Sequence, residues 1–231
     1  MSQANHPPLV TDIDGTLTDD EMLLDGRIGA ALREWPAPVV LATGKVLPLP
    51  VALCNYLGLT RTVIAENGGV SFVEAADELL VHGDRQVAQQ VAEEYVAAGY
   101  DLGWGAVDLP NRWRETEVVL AHHVPLEPLE SIATEHGLEV VDTQYAYHVK
   151  SPEMSKGRAL ESVARALGLE SGDFLAIGDS ANDVSTFQQA GTAIAVANAD
   201  ESARTAADHV TDATFADGFL EALEAVATGE W

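Results

Sequence analysis

Apolar positions along this chain fall into two rhythms. Short unbroken runs, Leu9 to Ile13, Val39 to Ala42, Thr62 to Ala65, Phe174 to Ile177 and Ala193 to Val196, read as strands buried on both faces. Between them, Gly26 to Trp35 (ended by Pro36), Leu49 to Leu57 (closed by Gly58), Lys156 to Leu167 and Asn182 to Ala190 read as helices. Strands alternating with helices imply a parallel sheet. The middle of the chain changes character. Asp84 to Ala98 predicts a helix with Val87, Val91, Tyr95 and Val96 broadly on one face, and Glu117 to His123 a strand. Leu126 to His136 follows as a helix and Leu138 to Val149 as a strand or hairpin. The simplest account is an α/β fold: a doubly wound parallel-sheet core over 1–80 and 152–231, interrupted by a smaller α+β domain over 81–151.

Composition narrows the partners. Across 231 residues, 12 Lys and Arg face 37 Asp and Glu, a formal net charge of −25. Such a surface repels nucleic acid and anionic membranes. The acids are dispersed through a chain that is 47% hydrophobic, so a folded core is expected rather than disorder. Dispersed acidity resembles that of proteins from salt-accumulating halophiles, since at molar salt a Debye length of about 3 Å screens self-repulsion. No apolar run approaches the roughly 20 residues that span a bilayer, and Met1 to Pro8 has no signal-peptide pattern. A cytoplasmic location is expected. The single cysteine, Cys54, has no disulfide partner and reads as helix filling. Oligomeric state is open, a homodimer being one option. The only lysines are Lys45, Lys150 and Lys156, and in so acidic a chain each invites a reason.

Chemistry concentrates where strands end. Asp12 and Asp14 stand two apart after the first apolar run, just before Gly15, and two anions so placed call for a cation or a shared proton. Ligands in α/β sheets bind beyond the carboxyl ends of strands. Thr43 and Gly44 end the second strand, where a hydroxyl and backbone N–H groups suit either a helix cap or a phosphoryl oxygen. Lys156 enters a helix against the macrodipole, which contact with an anion would explain. Asp179 follows a buried strand, and Asp183 sits four residues on in the first turn of a helix, where a capping carboxylate is the plain alternative.

Taken together, Asp12-Ile13-Asp14-Gly15-Thr16, Thr43-Gly44, Ser155-Lys156-Gly157 and Gly178-Asp179-Ser180-Ala181-Asn182-Asp183 resemble all four motifs of the haloacid dehalogenase superfamily of phosphohydrolases. The resemblance covers Leu9 to roughly Glu78 and Pro152 to Val226. It implies that Asp12 is a nucleophile forming an aspartyl-phosphate and that Asp14 is the general acid/base. It implies further that Thr43, Gly44 and Lys156 hold phosphoryl oxygens. Mg²⁺ would sit on Asp12, Asp179, the Asp14 backbone carbonyl and Asp183, the last directly or through water. The long interval between Thr43 and Lys156 is similar to a C2B-type cap. Leu41 to Pro48 and Ala65-Glu66-Asn67-Gly68-Gly69 look like the archaeal phosphoglycolate phosphatases of that branch, which implies 2-phosphoglycolate as the small phosphorylated substrate. Sugar-phosphate or nucleotide phosphatases and phosphomutases share the same core. A non-catalytic phosphate-binding regulator is the alternative outside enzymes.

One departure stands out. Lys45 occupies a position where that family's pattern leads one to expect asparagine; it either contacts an anionic substrate or pairs with Glu66 or another acid. In the cap, Arg112, Arg114, His123, His148 and Lys150 are the candidates to meet a substrate carboxylate. Trp104 and Trp113 read as cap core. His122-His123 lacks a third ligand at zinc spacing.

Overall fold

The computed structural model describes residues 6–143 and 145–231. The chain begins with β1 (Leu9–Asp12), α1 (Ile28–Glu34), β2 (Val39–Ala42), α2 (Pro48–Leu57), β3 (Thr62–Ala65), β4 (Val70–Val73) and β5 (Glu78–Val81). Then come α3 (Arg85–Ala97), β6 (Val118–Ala121), α4 (Leu126–Glu135), β7 (Glu139–Asp142) and β8 (Ala146–Lys150). The last third holds α5 (Lys156–Ala166), β9 (Leu175–Gly178), α6 (Val184–Phe187), β10 (Thr192–Ala195), α7 (Glu201–Ala206), β11 (His209–Val210) and α8 (Phe215–Thr228).

Two sheets result. The larger has the order β11-β10-β9-β1-β2-β3-β4-β5, parallel from β11 to β3. Its strands are buried along their length because alternate residues feed opposite layers. Leu9, Leu41, Leu175 and Ile177 join one apolar cluster with α1, α2 and α8, whereas Val10, Val40 and Ala176 join another with α5. Register aligns the strand ends: Asp12 lies beside Ala42 and Thr11 beside Ile177. Asp12, Thr43 and Asp179 therefore leave neighbouring strands along one edge of the sheet.

At the far side the parallel pattern stops. β4 and β5 run antiparallel to β3 and to each other, adding a meander that the short runs of the sequence did not announce. The expected helix from Asn182 to Ala190 is also shorter. A 3₁₀ turn at Ala181–Asp183 precedes α6, because the Asp183 carboxylate folds back onto the backbone N–H groups of Asp179 and Ser180.

The second sheet, β6-β8-β7, is antiparallel throughout, so the ambiguous segment from Leu138 to Val149 is a hairpin. Helices α3 and α4 cover it through Ala88, Val91, Ala92, Tyr95, Leu129 and Ala133. The buried face of α3 is thus rotated from the expected one: the spacing Ala88, Val91, Ala92, Tyr95 faces the sheet, and Val96 is exposed. Trp104 packs on this core and donates its indole N–H to the Val119 carbonyl at 2.8 Å. Trp113 is half exposed, so it is not core; its ring lies under the Arg112 guanidinium. Cys54 is buried in α2 as expected. No helix among the described residues is long and apolar enough to cross a membrane.

Candidate active site

Each polar group at the sheet edge is placed by a local device. Asp12 is the last residue of β1 and is buried. The chain then turns through Gly15 at φ +81°, a left-handed conformation that favours glycine. A Cβ there would lie 2.3 Å from Asp179 Oδ2, so the turn needs glycine for space as well as for angle. Asn198 fixes the same turn by donating to the Gly15 carbonyl at 2.9 Å. Ser155 caps α5 by accepting from the Arg158 N–H, which sets Lys156 as the first helical residue, with its side chain fully buried.

The Lys156 ammonium is the hub. It donates to Asp12 Oδ1 at 2.5 Å, to Asp183 Oδ1 at 2.7 Å and to Asn182 Oδ1 at 2.9 Å. The capping reading and the site reading of Asp183 are both realised: Oδ2 accepts from the backbone at 3.1 and 3.2 Å while Oδ1 takes the lysine. Oxygens of Asp12, Asp179 and Asp183 all lie within 4.8 Å of one another. The buried Asp179 Oδ1 has no hydrogen-bond partner among the described residues.

Three carboxylates around one ammonium leave excess negative charge, and the protonation equilibria register it. Burial raises Asp12 well above the ordinary carboxylate range; Lys156 pulls it back, but Asp183 and Asp179 push it up again. Burial and then Asp183 push Asp179 up to about 7. Burial acts against the charge of Lys156, but Asp12 and Asp183 outweigh it and raise the lysine. A buried, oxygen-only donor set with an unpartnered carboxylate oxygen suits a hard divalent cation. Asp12, Asp179 and Asp183 fit such an ion.

The other expected residues surround this centre. Thr43 is buried, and its hydroxyl accepts from the Lys45 N–H at 3.1 Å. Gly44 packs closely on Asn67: a Cβ there would lie 2.9 Å from Asn67 Oδ1 and displace that side chain. The Asp14 side chain does not join the carboxylate cluster; it forms an ion pair with Lys45. Lys45 thus pairs with an acid, and that acid is Asp14 rather than Glu66.

The cap's candidate cations are mostly committed. Arg114 is buried, paired with Glu117, and also donates to the Gly44 carbonyl at 3.1 Å. His148 lies 3.0 Å from Glu117 Oε1 and 3.2 Å from Asn67 Nδ2. Lys150 is held by Glu139 at 2.5 Å and by the Met154 carbonyl at 2.8 Å. Arg112 and His123 are exposed, and His122 pairs with Asp142 at 3.0 Å.

Sequence reasoning left Asn182 and Asn67 without a role and named Glu66 only as a partner for Lys45. Asn182 supplies the third acceptor to Lys156 and donates to Asn67 Oδ1 at 3.2 Å. Asn67, left-handed at φ +53°, carries that chain of bonds into the cap at His148. Glu66 is buried and accepts from the N–H groups of Glu115 and Thr116, both at 2.9 Å, and from the Thr116 hydroxyl at 2.7 Å. Burial raises its pKa. The Asn67-Gly68 pair, a turn signal, was the available hint.

Comparison with known proteins agrees with this geometry. Residues 130–223 match the family model of haloacid dehalogenase-like hydrolases. The phosphoglycolate phosphatase of Haloarcula marismortui is 58% identical over 94% of this chain and 96% of its own length. That of Halobacterium salinarum is 53% identical over 95% and 97%. Among solved structures, Thermoplasma acidophilum 0175 superposes with a TM-score of 0.81 at 24% identity, covering 96% of this chain and 99% of that one. The Bacteroides thetaiotaomicron phosphatase BT1666 gives 0.76 at 20% identity, covering 98% and 97%. Both share the fold. The haloarchaeal relatives also fit the acidic composition read as halophilic.

Proposed function

This chain belongs to the phosphoglycolate phosphatase family of haloacid dehalogenase-like hydrolases, and we propose on that premise that it hydrolyses 2-phosphoglycolate to glycolate and phosphate. The observation that carries the chemistry is the net-anionic cluster of Asp12, Asp179 and Asp183 around Lys156, with Asp179 Oδ1 unpartnered. The cation proposed is Mg²⁺, which those three carboxylates and the Asp14 carbonyl would hold and which would neutralise charge gathering on the phosphoryl oxygens.

The chain's own residues divide the remaining work. An Asp12 carboxylate oxygen attacks phosphorus, the ester P–O bond breaks, and an aspartyl-phosphate forms. Asp14 delivers a proton to the departing glycolate oxygen and then takes one from the water that attacks the phosphorus of the intermediate. That water releases phosphate and restores Asp12. Lys156, Thr43 and the Gly44 N–H hold the equatorial oxygens in line, the positioning on which phosphoryl transfer depends.

We place the core at 1–80 and 152–231 and the cap at 81–151, on the support that β1 to β5 and β9 to β11 build one sheet and β6 to β8 another, although Val81, the last residue of β5, still pairs in the core sheet. We place the reaction in the cytoplasm, on a small phosphorylated metabolite. The test is phosphate release from a panel of phosphomonoesters with Mg²⁺ at high KCl. The expected result is the highest kcat/KM for 2-phosphoglycolate. A sugar phosphate leading the panel would keep the chemistry and reject this substrate.

A further inference from the structure

Lys45 is the cation at this site with surface to spare. Among the described residues, Lys156 is fully buried among Asp12, Asp183 and Asn182, and Lys150 is locked between Glu139 and main-chain carbonyls. Arg114 is spent on Glu117, Gly44 O and Pro110 O. Lys45 touches a single acid, Asp14, with its side chain 40% exposed and that of Asp14 26% exposed. Its backbone, by contrast, is anchored at both ends. The N–H donates to the Thr43 hydroxyl at 3.1 Å, and the carbonyl accepts from the buried Glu66 N–H at 3.0 Å. A fixed backbone under an open, singly paired ammonium suits exchange of one anion for another, because an exposed ion pair contributes little free energy.

Position says which anion. On the reading above, Asp14 faces the ester oxygen that leaves with the alcohol. In 2-phosphoglycolate one methylene separates that oxygen from a carboxylate. An ammonium resting on the Asp14 carboxylate therefore stands beside the place where the substrate carboxylate arrives. We propose that Lys45 is the specificity-determining residue of this site: it leaves Asp14 to pair with a carboxylate carried next to the scissile ester. Asp14 is the stand-in for that carboxylate in the free protein. The inference rests on the phosphatase reading and adds to it the class of ester preferred, one whose alcohol bears a carboxylate on the carbon next to the oxygen. It also places discrimination in a core loop rather than among the cap cations, and makes the two readings of Lys45 offered by the sequence, acid pairing and substrate contact, successive states of one side chain.

The experiment compares 2-phosphoglycolate with ethyl phosphate, which keeps the carbon skeleton and lacks the carboxylate, across wild type, Lys45→Met and Lys45→Arg. A charge-assisted contact of this kind corresponds to about 10- to 100-fold. Lys45→Met should lose that factor in kcat/KM on 2-phosphoglycolate, largely through KM, and change ethyl phosphate by less than about threefold. Lys45→Arg should restore most of the loss. In an Asp12→Asn background, calorimetric binding of 2-phosphoglycolate should weaken by the same factor when Lys45 becomes Met. Equal losses on both esters would overturn the proposal and make Lys45 a support for Asp14 or the phosphoryl group. Undiminished preference in Lys45→Met would overturn it while leaving the phosphatase reading intact. A wild type with no preference between the two esters would sink the substrate assignment and this inference together.

Discussion

Two clusters of buried charge lie on either side of the site, and they differ in balance. In the core, Asp12, Asp179 and Asp183 crowd around the single ammonium of Lys156. In the cap, the one carboxylate of Glu117 faces the Arg114 guanidinium and the His148 ring. Each cluster contains a buried oxygen without a partner, Asp179 Oδ1 in one and Glu117 Oε2 in the other. An unpartnered atom therefore does not by itself mark a reactive centre. Charge does. Core carboxylates are raised, Asp179 to about 7, whereas burial pulls Glu117 upward but His148 and Arg114 outweigh it and lower it. The core cluster sets three carboxylates against one ammonium and has the donors for a further cation; the cap cluster sets one carboxylate against a guanidinium and an imidazole and bonds onward to Gly44 and Asn67.

The contrast breaks most sharply on Asp12. If Asp12 is the nucleophile proposed here, Asp12→Asn should cut turnover by more than about 10⁴-fold, with an unchanged unfolding temperature because it removes charge from an overcrowded site. Phosphate release and thermal unfolding on the same preparation check both halves. Glu117→Gln should do the reverse. Breaking a buried pair costs about 3–5 kcal/mol, and at about 2–4 °C per kcal/mol the unfolding temperature should fall by roughly 10 °C. Its kcat, per folded molecule, should stay within about threefold of wild type. A Glu117→Gln variant that is stable but inactive would erase the distinction between the two clusters.

A smaller effect sharpens it through pH. Asp179 is raised in the folded state from 3.8 to about 7. In metal-free protein its contribution to stability is therefore full below 3.8 and is lost as pH rises through about 7. Glu117 is lowered from 4.5, so its contribution is present above that value and is lost as pH falls through its lowered one. Unfolding temperatures of chelated protein should thus decline on the way from mildly acidic pH to above 7, and Mg²⁺ should flatten the decline. Glu117→Gln should blunt only the loss on the acid side.

Much of this architecture was legible because parallel strands buried on both faces leave unbroken apolar runs. Val39–Ala42 and Thr62–Ala65 appear in the structure with the bounds the runs suggested. β4 and β5 were not legible: Ser71 interrupts one, and the other is largely exposed, with an acid at its start. Beyond Val196, the two-residue β11 carries no period, but α8 does, through Phe219, Ala222 and Leu223. The carboxylates and Lys156 were legible because strand ends and helix starts bring them together whatever the loops do. The Lys45–Asp14 pair was not, since it depends on how two loops from neighbouring strands lean toward each other. Arg114, His148 and Lys150 were candidates to meet a substrate carboxylate, yet all are buried against partners: Arg114 against Glu117 three residues on and the Gly44 carbonyl, His148 against Glu117 and Asn67, and Lys150 against Glu139 across a strand pair.

The core cluster has the donors for a divalent cation and the cap cluster does not. Calorimetric titration of Mg²⁺ into chelator-treated protein tests it most directly, with wild type, Asp179→Asn and Glu117→Gln side by side. The expected result is a single site in wild type, kept in Glu117→Gln and weakened at least about tenfold in Asp179→Asn. Mg²⁺ binding that is undiminished in Asp179→Asn, or absent from folded wild type, would contradict the claim.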